Sequence, residues 1–181
     1  MAKRLGSLKW PALAAAALVL VALAYFPFVR GSSLSPRLVS SEAVAMLGSG
    51  SSTAAVAGDG TIIAWLPSPE EGSLPELPLE SPPEGGRLEG HALQQVRVLA
   101  AAPPALRPYL ARSFYGESGV DVELTTGIEL RFGDASGAVR KWRSAAAVLA
   151  DPEITALDYV DLHAPGKAAV YGSGHALPPV S

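Results

Sequence analysis

An α+β fold behind a single N-terminal membrane span is what this sequence predicts, and three observations carry the prediction. Residues 10–29, Trp10 to Val29, form one uncharged apolar run. About 20 residues at 1.5 Å rise per residue cover the roughly 30 Å hydrocarbon core of a bilayer. Val120 to Phe132 alternates apolar and polar residues with the period of antiparallel strands. Two further stretches carry apolar residues at helical spacing, Leu88, Ala92, Val96 and Leu99 in one, and Val139, Trp142, Ala146 and Leu149 in the other. The order hairpin, helix, strands, helix, strands gives a largely antiparallel sheet with two covering helices.

The span is fenced by Lys3, Arg4 and Lys9 before it and by Arg30 and Arg37 after it. That bias places residues 1–9 in the cytoplasm as a short tail and the bulk of the chain outside. A cleaved secretory signal is the alternative, but its apolar core runs about 7 to 15 residues, and the best small-x-small site, Ala22-Leu23-Ala24, lies inside the run instead of after it. A retained anchor is the reading. Tyr25, Phe26 and Phe28 fit an interfacial aromatic belt, and Pro27 ends or kinks the helix.

The chain has 181 residues, enough beyond the anchor for one domain of common size. A net charge of -3 provides no basic field, which argues against nucleic acid as a partner. Cysteine is absent, which removes disulfides and thiolate chemistry.

Residues 30–52 read as a Ser/Gly-rich spacer interrupted by one short helix candidate, Ser41 to Leu47, with serine at its start and Gly48 at its end. An extracytoplasmic β domain is expected over residues 53–172. It starts with a hairpin, Thr53 to Ala57 and Thr61 to Trp65 flanking Gly58-Asp59-Gly60. Residues 67–86 hold six prolines among five glutamates and read as an extended acidic loop that supplies little core. Arg87 to Ala102 is the first helix, closed by Pro103-Pro104. Tyr109 to Glu117 is a strand. In the next hairpin a three-residue loop, Thr125-Thr126-Gly127, aligns Leu124 with Ile128, Val122 with Leu130 and Val120 with Phe132, and places glycine where the loop needs a left-handed residue. The same register sets Asp121 opposite Arg131 and Glu123 opposite Glu129. Ser136 to Ala150 is the second helix, with Ser136 as N-cap. Ile154 to Leu162 and Lys167 to Tyr171 are the last strands, and residues 173–181 read as a disordered tail.

No catalytic constellation survives inspection. His91, His163 and His175 show no metal-ligand spacing and read as surface residues, so no metal or cofactor is expected. Ser113 has no Gly-x-Ser-x-Gly context. Asp121, Glu123 and Glu129 could form an acid pair, but they alternate with core residues on an open hairpin face and read as solvated.

The closing segments carry a family likeness. Tyr159-Val160-Asp161-Leu162, the turn at Pro165-Gly166 and Ala168-Ala169-Val170-Tyr171 resemble the last strands of the FtsQ/DivIB bacterial cell-division proteins. Val122-Glu123-Leu124, Gly127-Ile128-Glu129-Leu130, Phe132-Gly133 and Arg140-Lys141-Trp142 are similar to the passage that precedes those strands in the family. Gly58-Asp59-Gly60-Thr61-Ile62-Ile63 is similar to its first hairpin, and Leu77-Pro78-Leu79 to its proline loop. The chain departs from the family in having no room, across residues 30–52, for the POTRA module placed there, so the helix candidate around Glu42 to Leu47 reads as a remnant. The resemblance implies an FtsQ-type β domain in a non-enzymatic divisome scaffold of the plasma membrane, enriched at the septum and bound to FtsB/FtsL (DivIC)-type partners. The partner surface it implies is the pair of closing strands: Tyr159, Val160, Asp161 and Leu162 with Ala168, Ala169, Val170 and Tyr171. The physical route is strand addition to an open edge, with the tyrosines as side-chain anchors. A proline at Ala169 would obstruct that addition if its N–H points outward. The competing reading is an anchored or secreted extracytoplasmic binding module of another kind.

Overall fold

The computed structural model describes residues 42–48, 54–63, 74–79 and 85–179. The candidate span 10–29 and the tail before it lie outside the described residues. Among the described residues no helix is long and apolar enough to cross a membrane.

Nine strands form one mixed sheet. They are β1 (Ala43–Leu47), β2 (Ala54–Ala57), β3 (Ile62–Ile63), β4 (Glu76–Leu77), β5 (Leu110–Gly116), β6 (Gly119–Leu124), β7 (Glu129–Gly133), β8 (Ala156–Asp161) and β9 (Ala169–Ala176). Their spatial order is β3-β2-β1-β4-β5-β6-β7-β8-β9. The β1–β4, β4–β5 and β7–β8 pairs are parallel and the others antiparallel. Helix α1 (Gly90–Ala100) and helix α2 (Ala138–Leu149) share one core with Val122, Leu124, Leu130, Phe132, Val160 and Leu162, so both cover the same face of the sheet. The indole Nε1–H of Trp142 in α2 donates to the Val98 carbonyl of α1 at 2.7 Å.

Both expected hairpins form among the described residues, the first over Ala54–Ala57 and Ile62–Ile63, with Thr53, Ala64 and Trp65 outside the described residues. In the second, Gly127 takes φ 91° and donates its N–H to Leu124 O, while Leu124 N–H donates to Ile128 O, so the loop is the three residues the pattern requires. Asp121 pairs with Arg131, Val122 with Leu130 and Glu123 with Glu129. Beyond Asp121 the register slips and Val120 meets Gly133 instead of Phe132.

Several expectations are corrected. Ala43 to Leu47 is a strand, not a helix: five residues offer little more than one turn, whose nucleation is unfavourable, whereas as β1 they gain ladders on both sides, with β2 and β4. The proline-rich stretch is not only loop. Pro75 and Pro78 bracket the two residues of β4, and Leu77 there is 1% exposed. Placed between β1 and β5, β4 joins the N-terminal hairpin to the rest of the sheet. Helix α2 is rotated from the expected stripe. Val139 is 53% exposed, and Lys141, at 1%, lies inward beside Trp142, Ala145 and Leu149. Gly137, not Ser136, is its N-cap residue; the Ser136 hydroxyl instead donates to Asp134 Oδ1 at 2.6 Å. Residues 173–179 are not a free tail. β9 runs to Ala176 against β8, Leu177 packs on the core, and the Tyr109 hydroxyl donates to Pro179 O at 2.7 Å.

Candidate functional site

The closing strands form the end of the sheet: among the described residues β9 has a neighbouring strand on one side only. Leu162 N–H donates to Arg131 O at 2.8 Å, so even-numbered β8 residues bond toward β7 and odd-numbered ones toward β9. Ala169 and Tyr171, opposite Asp161 and Tyr159, therefore point their N–H and C=O groups inward. Val170 points its pair outward. The expectation for a proline at Ala169 is corrected on this ground: the outward donor is the N–H of Val170.

The eight residues read as a partner surface divide by face. Val160 and Leu162 are fully buried in the core beneath the helices. Ala168 packs partly against that core. Val170 shares their side but is 43% exposed, because it lies at the rim. Tyr159, Asp161, Ala169 and Tyr171 occupy the opposite face. There the two tyrosine rings stack with centroids 4.6 Å apart and planes 16° from parallel, and Tyr171 is 47% exposed. The Arg131 guanidinium lies 3.7 Å from the Tyr159 ring centroid, and Glu129 holds it from the same strand with contacts of 3.1 and 3.3 Å. The hydrogen bond to Glu129 raises the Arg131 pKa above its ordinary value.

A bulge limits the regular part of this edge. Between the pairs Tyr159–Tyr171 and Leu157–His175, three β9 residues oppose Asp158 alone. The Asp158 carboxylate accepts the Gly174 N–H at 2.8 Å. A Cβ at Gly172 or Gly174 would meet that carboxylate and force the Asp158 side chain to move, and Gly172 also takes φ 79°, which favours glycine. The Gly-Ser-Gly motif looks like flexible tail in sequence because its partner, Asp158, lies 16 residues earlier than Gly174.

The other candidates have structural partners. Glu123 pairs with Arg112 at 2.6 Å and Glu129 with Arg131. The Ser113 hydroxyl is buried and donates to Asp121 O at 2.9 Å. His91 stacks on Tyr115 at 3.8 Å between centroids. A Cβ at Gly127 would meet the His175 ring at 2.6 Å, so that ring lies over the β6–β7 turn. His163 bridges the Asp161 carboxylate at 2.7 Å and Ser118 O at 3.0 Å, and these contacts, the carboxylate first, raise its pKa. A separate cavity of about 410 Å³ lies between Val44, Leu74, Pro75, Leu99 and Leu110, with the Arg107–Glu42 ion pair, 2.7 Å long, on its lining.

Asp121 is not solvated. It is 4% exposed, and its Oδ1 has no hydrogen-bond partner among the described residues. Burial, then the Glu129 charge, push its pKa up to about 6, against the opposing pull of Arg131 and His163. The fold thus favours the protonated carboxyl. Its stabilising contribution is full below the ordinary value of 3.8, declines as pH rises, and is lost above about 6. Asp121→Asn should therefore stabilise the protein near pH 7.5 by about 1 to 2 kcal/mol, after discounting for screening, and by little near pH 4. Urea denaturation at the two pH values checks this; an equal effect at both would contradict the assigned ionisation.

Residues 45–163 match the family model for the C-terminal region of the cell division protein FtsQ/DivIB. The match ends before β9. Comparison with curated proteins finds no match for the chain.

Proposed function

The chain belongs to the FtsQ/DivIB family of cell-division proteins, and from that premise we propose that it is a membrane-anchored, non-enzymatic scaffold of the divisome that receives an FtsB/FtsL-type partner on the open edge of β9. In this reading residues 10–29 hold the protein in the plasma membrane, residues 1–9 are cytoplasmic, and the β domain works outside the membrane at the septum.

The observation that carries the proposal is the edge itself. A strand at the end of a sheet offers unpaired N–H and C=O groups for another chain, and β9 does so through Val170. Exposed side chains flank that backbone on both faces, Val170 on the helix side and Tyr171 on the other. An added strand gains backbone hydrogen bonds along the edge, while its alternate side chains meet an apolar rim and an aromatic one. Aromatic residues of this kind supply large contact area at small cost in conformational entropy.

Two variants test the reading. Val170→Pro removes the outward N–H at an edge position, where proline is tolerated, and Tyr171→Ala removes the exposed ring. Both should reduce co-purification with the FtsB-type protein from membranes, Tyr171→Ala by roughly 2 kcal/mol of binding free energy if it behaves as a hot spot. Far-UV circular dichroism should match the parent, and the tagged parent protein should form a band at mid-cell. Folded variants that bind as the parent does would move the interface to the span or to another part of the sheet.

A further inference from the structure

Arg131 is on β7, two strands inside the edge, and strands lie about 4.8 Å apart. Its guanidinium is engaged within the sheet, on Tyr159 and Glu129, and not at the β9 edge itself. The guanidinium lies over Tyr159 at 3.7 Å, Tyr159 stacks on Tyr171 at 4.6 Å, and Tyr171 is the outermost ring. Glu129 engages Nε and one terminal nitrogen at 3.1 and 3.3 Å, which fixes the orientation of the guanidinium plane. Glu129 lies directly opposite Tyr159 in the β7–β8 ladder. The brace and the first ring thus sit on the same stretch of sheet.

We infer that Arg131, held by Glu129, is a positioning residue that pre-orders the Tyr159–Tyr171 pair for an incoming partner strand; the inference rests on the edge-docking reading above. An unbraced tyrosine on an edge strand samples several rotamers, and the one that meets the partner must be selected on binding. Ordering one such side chain beforehand removes an entropic cost equivalent to about two- to tenfold in affinity. Arginine suits the task through its planar guanidinium, which stacks on a ring and presents a two-nitrogen fork to a carboxylate in one geometry. Lysine retains the charge but has neither the plane nor the fork.

The test uses the full chain in detergent micelles, with the extracytoplasmic part of the FtsB-type protein of the same cell immobilised as probe. Arg131→Lys should weaken binding about three- to tenfold, mainly through faster dissociation. In a Tyr171→Ala background the same substitution should have no further effect, because the outer ring of the pair, which Arg131 orders through Tyr159 and which meets the partner, is gone. A change that only loosened the fold would instead lower the melting temperature and affect both backgrounds alike. Parent-like binding by Arg131→Lys, while Val170→Pro loses binding, would overturn the positioning role and leave the edge reading intact. A loss undiminished in the Tyr171→Ala background would overturn it in favour of direct contact between Arg131 and the partner. Parent-like binding by Val170→Pro and Tyr171→Ala together would remove the edge reading and this inference with it.

Discussion

Trp142→Ala is expected to destabilise the domain by about 3 to 5 kcal/mol, the range for emptying a large aromatic site in a packed core. The indole is fully buried, its ring lies 4.9 Å from that of Phe132 at 51°, and its N–H is the bond joining α2 to α1. Removing it opens a cavity where both helices meet the sheet, so collapse of one element cannot fill the space. For a domain of this size the loss corresponds to a fall in melting temperature of about 10 to 20 °C. Trp142→Phe separates the contributions, since it keeps most of the apolar volume and loses the hydrogen bond; its cost should be nearer 1 to 2 kcal/mol, roughly the worth of one bond plus a smaller void. Thermal denaturation of both variants checks the ordering. A loss below about 1 kcal/mol for alanine would mean that the ring is not packed as described.

What was legible in the sequence is what local chemistry decides. The hairpin from Val120 to Phe132 could be registered in advance because alternation and the need for glycine at residue 127 agreed on one loop length. Trp142 and Leu149 are correctly assigned to the core because any apolar face of that helix must include them. The strand β1 was not legible: Ala43 to Leu47 has no alternation, and what makes it a strand is pairing with β2 and with Glu76 and Leu77, which no local pattern reveals. β4 fails for the opposite reason, since two residues between prolines carry no periodicity at all.

The candidate site shows the same division. Tyr159, Val170 and Tyr171 could be placed on closing strands, but their faces could not be assigned to core and edge without knowing that β9 ends the sheet. Arg131 was visible only as the partner of Asp121 in the ladder, whereas the structure commits it to Glu129 and Tyr159. Residues 172–174 looked shapeless because their order comes from Asp158. Hydropathy put Val139 inside and left Lys141 off the apolar stripe. Hydrogen bonding reversed them.

That reversal sets the second large effect. The Lys141 ammonium reaches Phe132 O at 2.7 Å, Asp134 O at 3.1 Å and Asp134 Oδ1 at 2.9 Å, so one buried side chain ties the first turn of α2 to the end of β7. Asp134 is mostly exposed, and its bonds from Ser136 and Lys141, in that order, lower its pKa to about 2. Lys141→Ala removes both the buried methylene stem and the donors, and should cost about 3 to 5 kcal/mol by the combined loss of packing and charge-assisted bonds. Lys141→Met keeps the stem and removes the ammonium. Its cost should be smaller, about 1 to 3 kcal/mol, because the desolvation of a buried charge disappears along with its bonds, and Asp134 can return to water. The difference between the two variants in chemical denaturation thus measures the stem, and the methionine variant alone measures the net worth of the buried ammonium. If Lys141→Met proves as stable as the parent, the three bonds do no more than offset the burial of the charge, and the inward rotation of α2 must be held by Trp142, Ala145 and Leu149 alone.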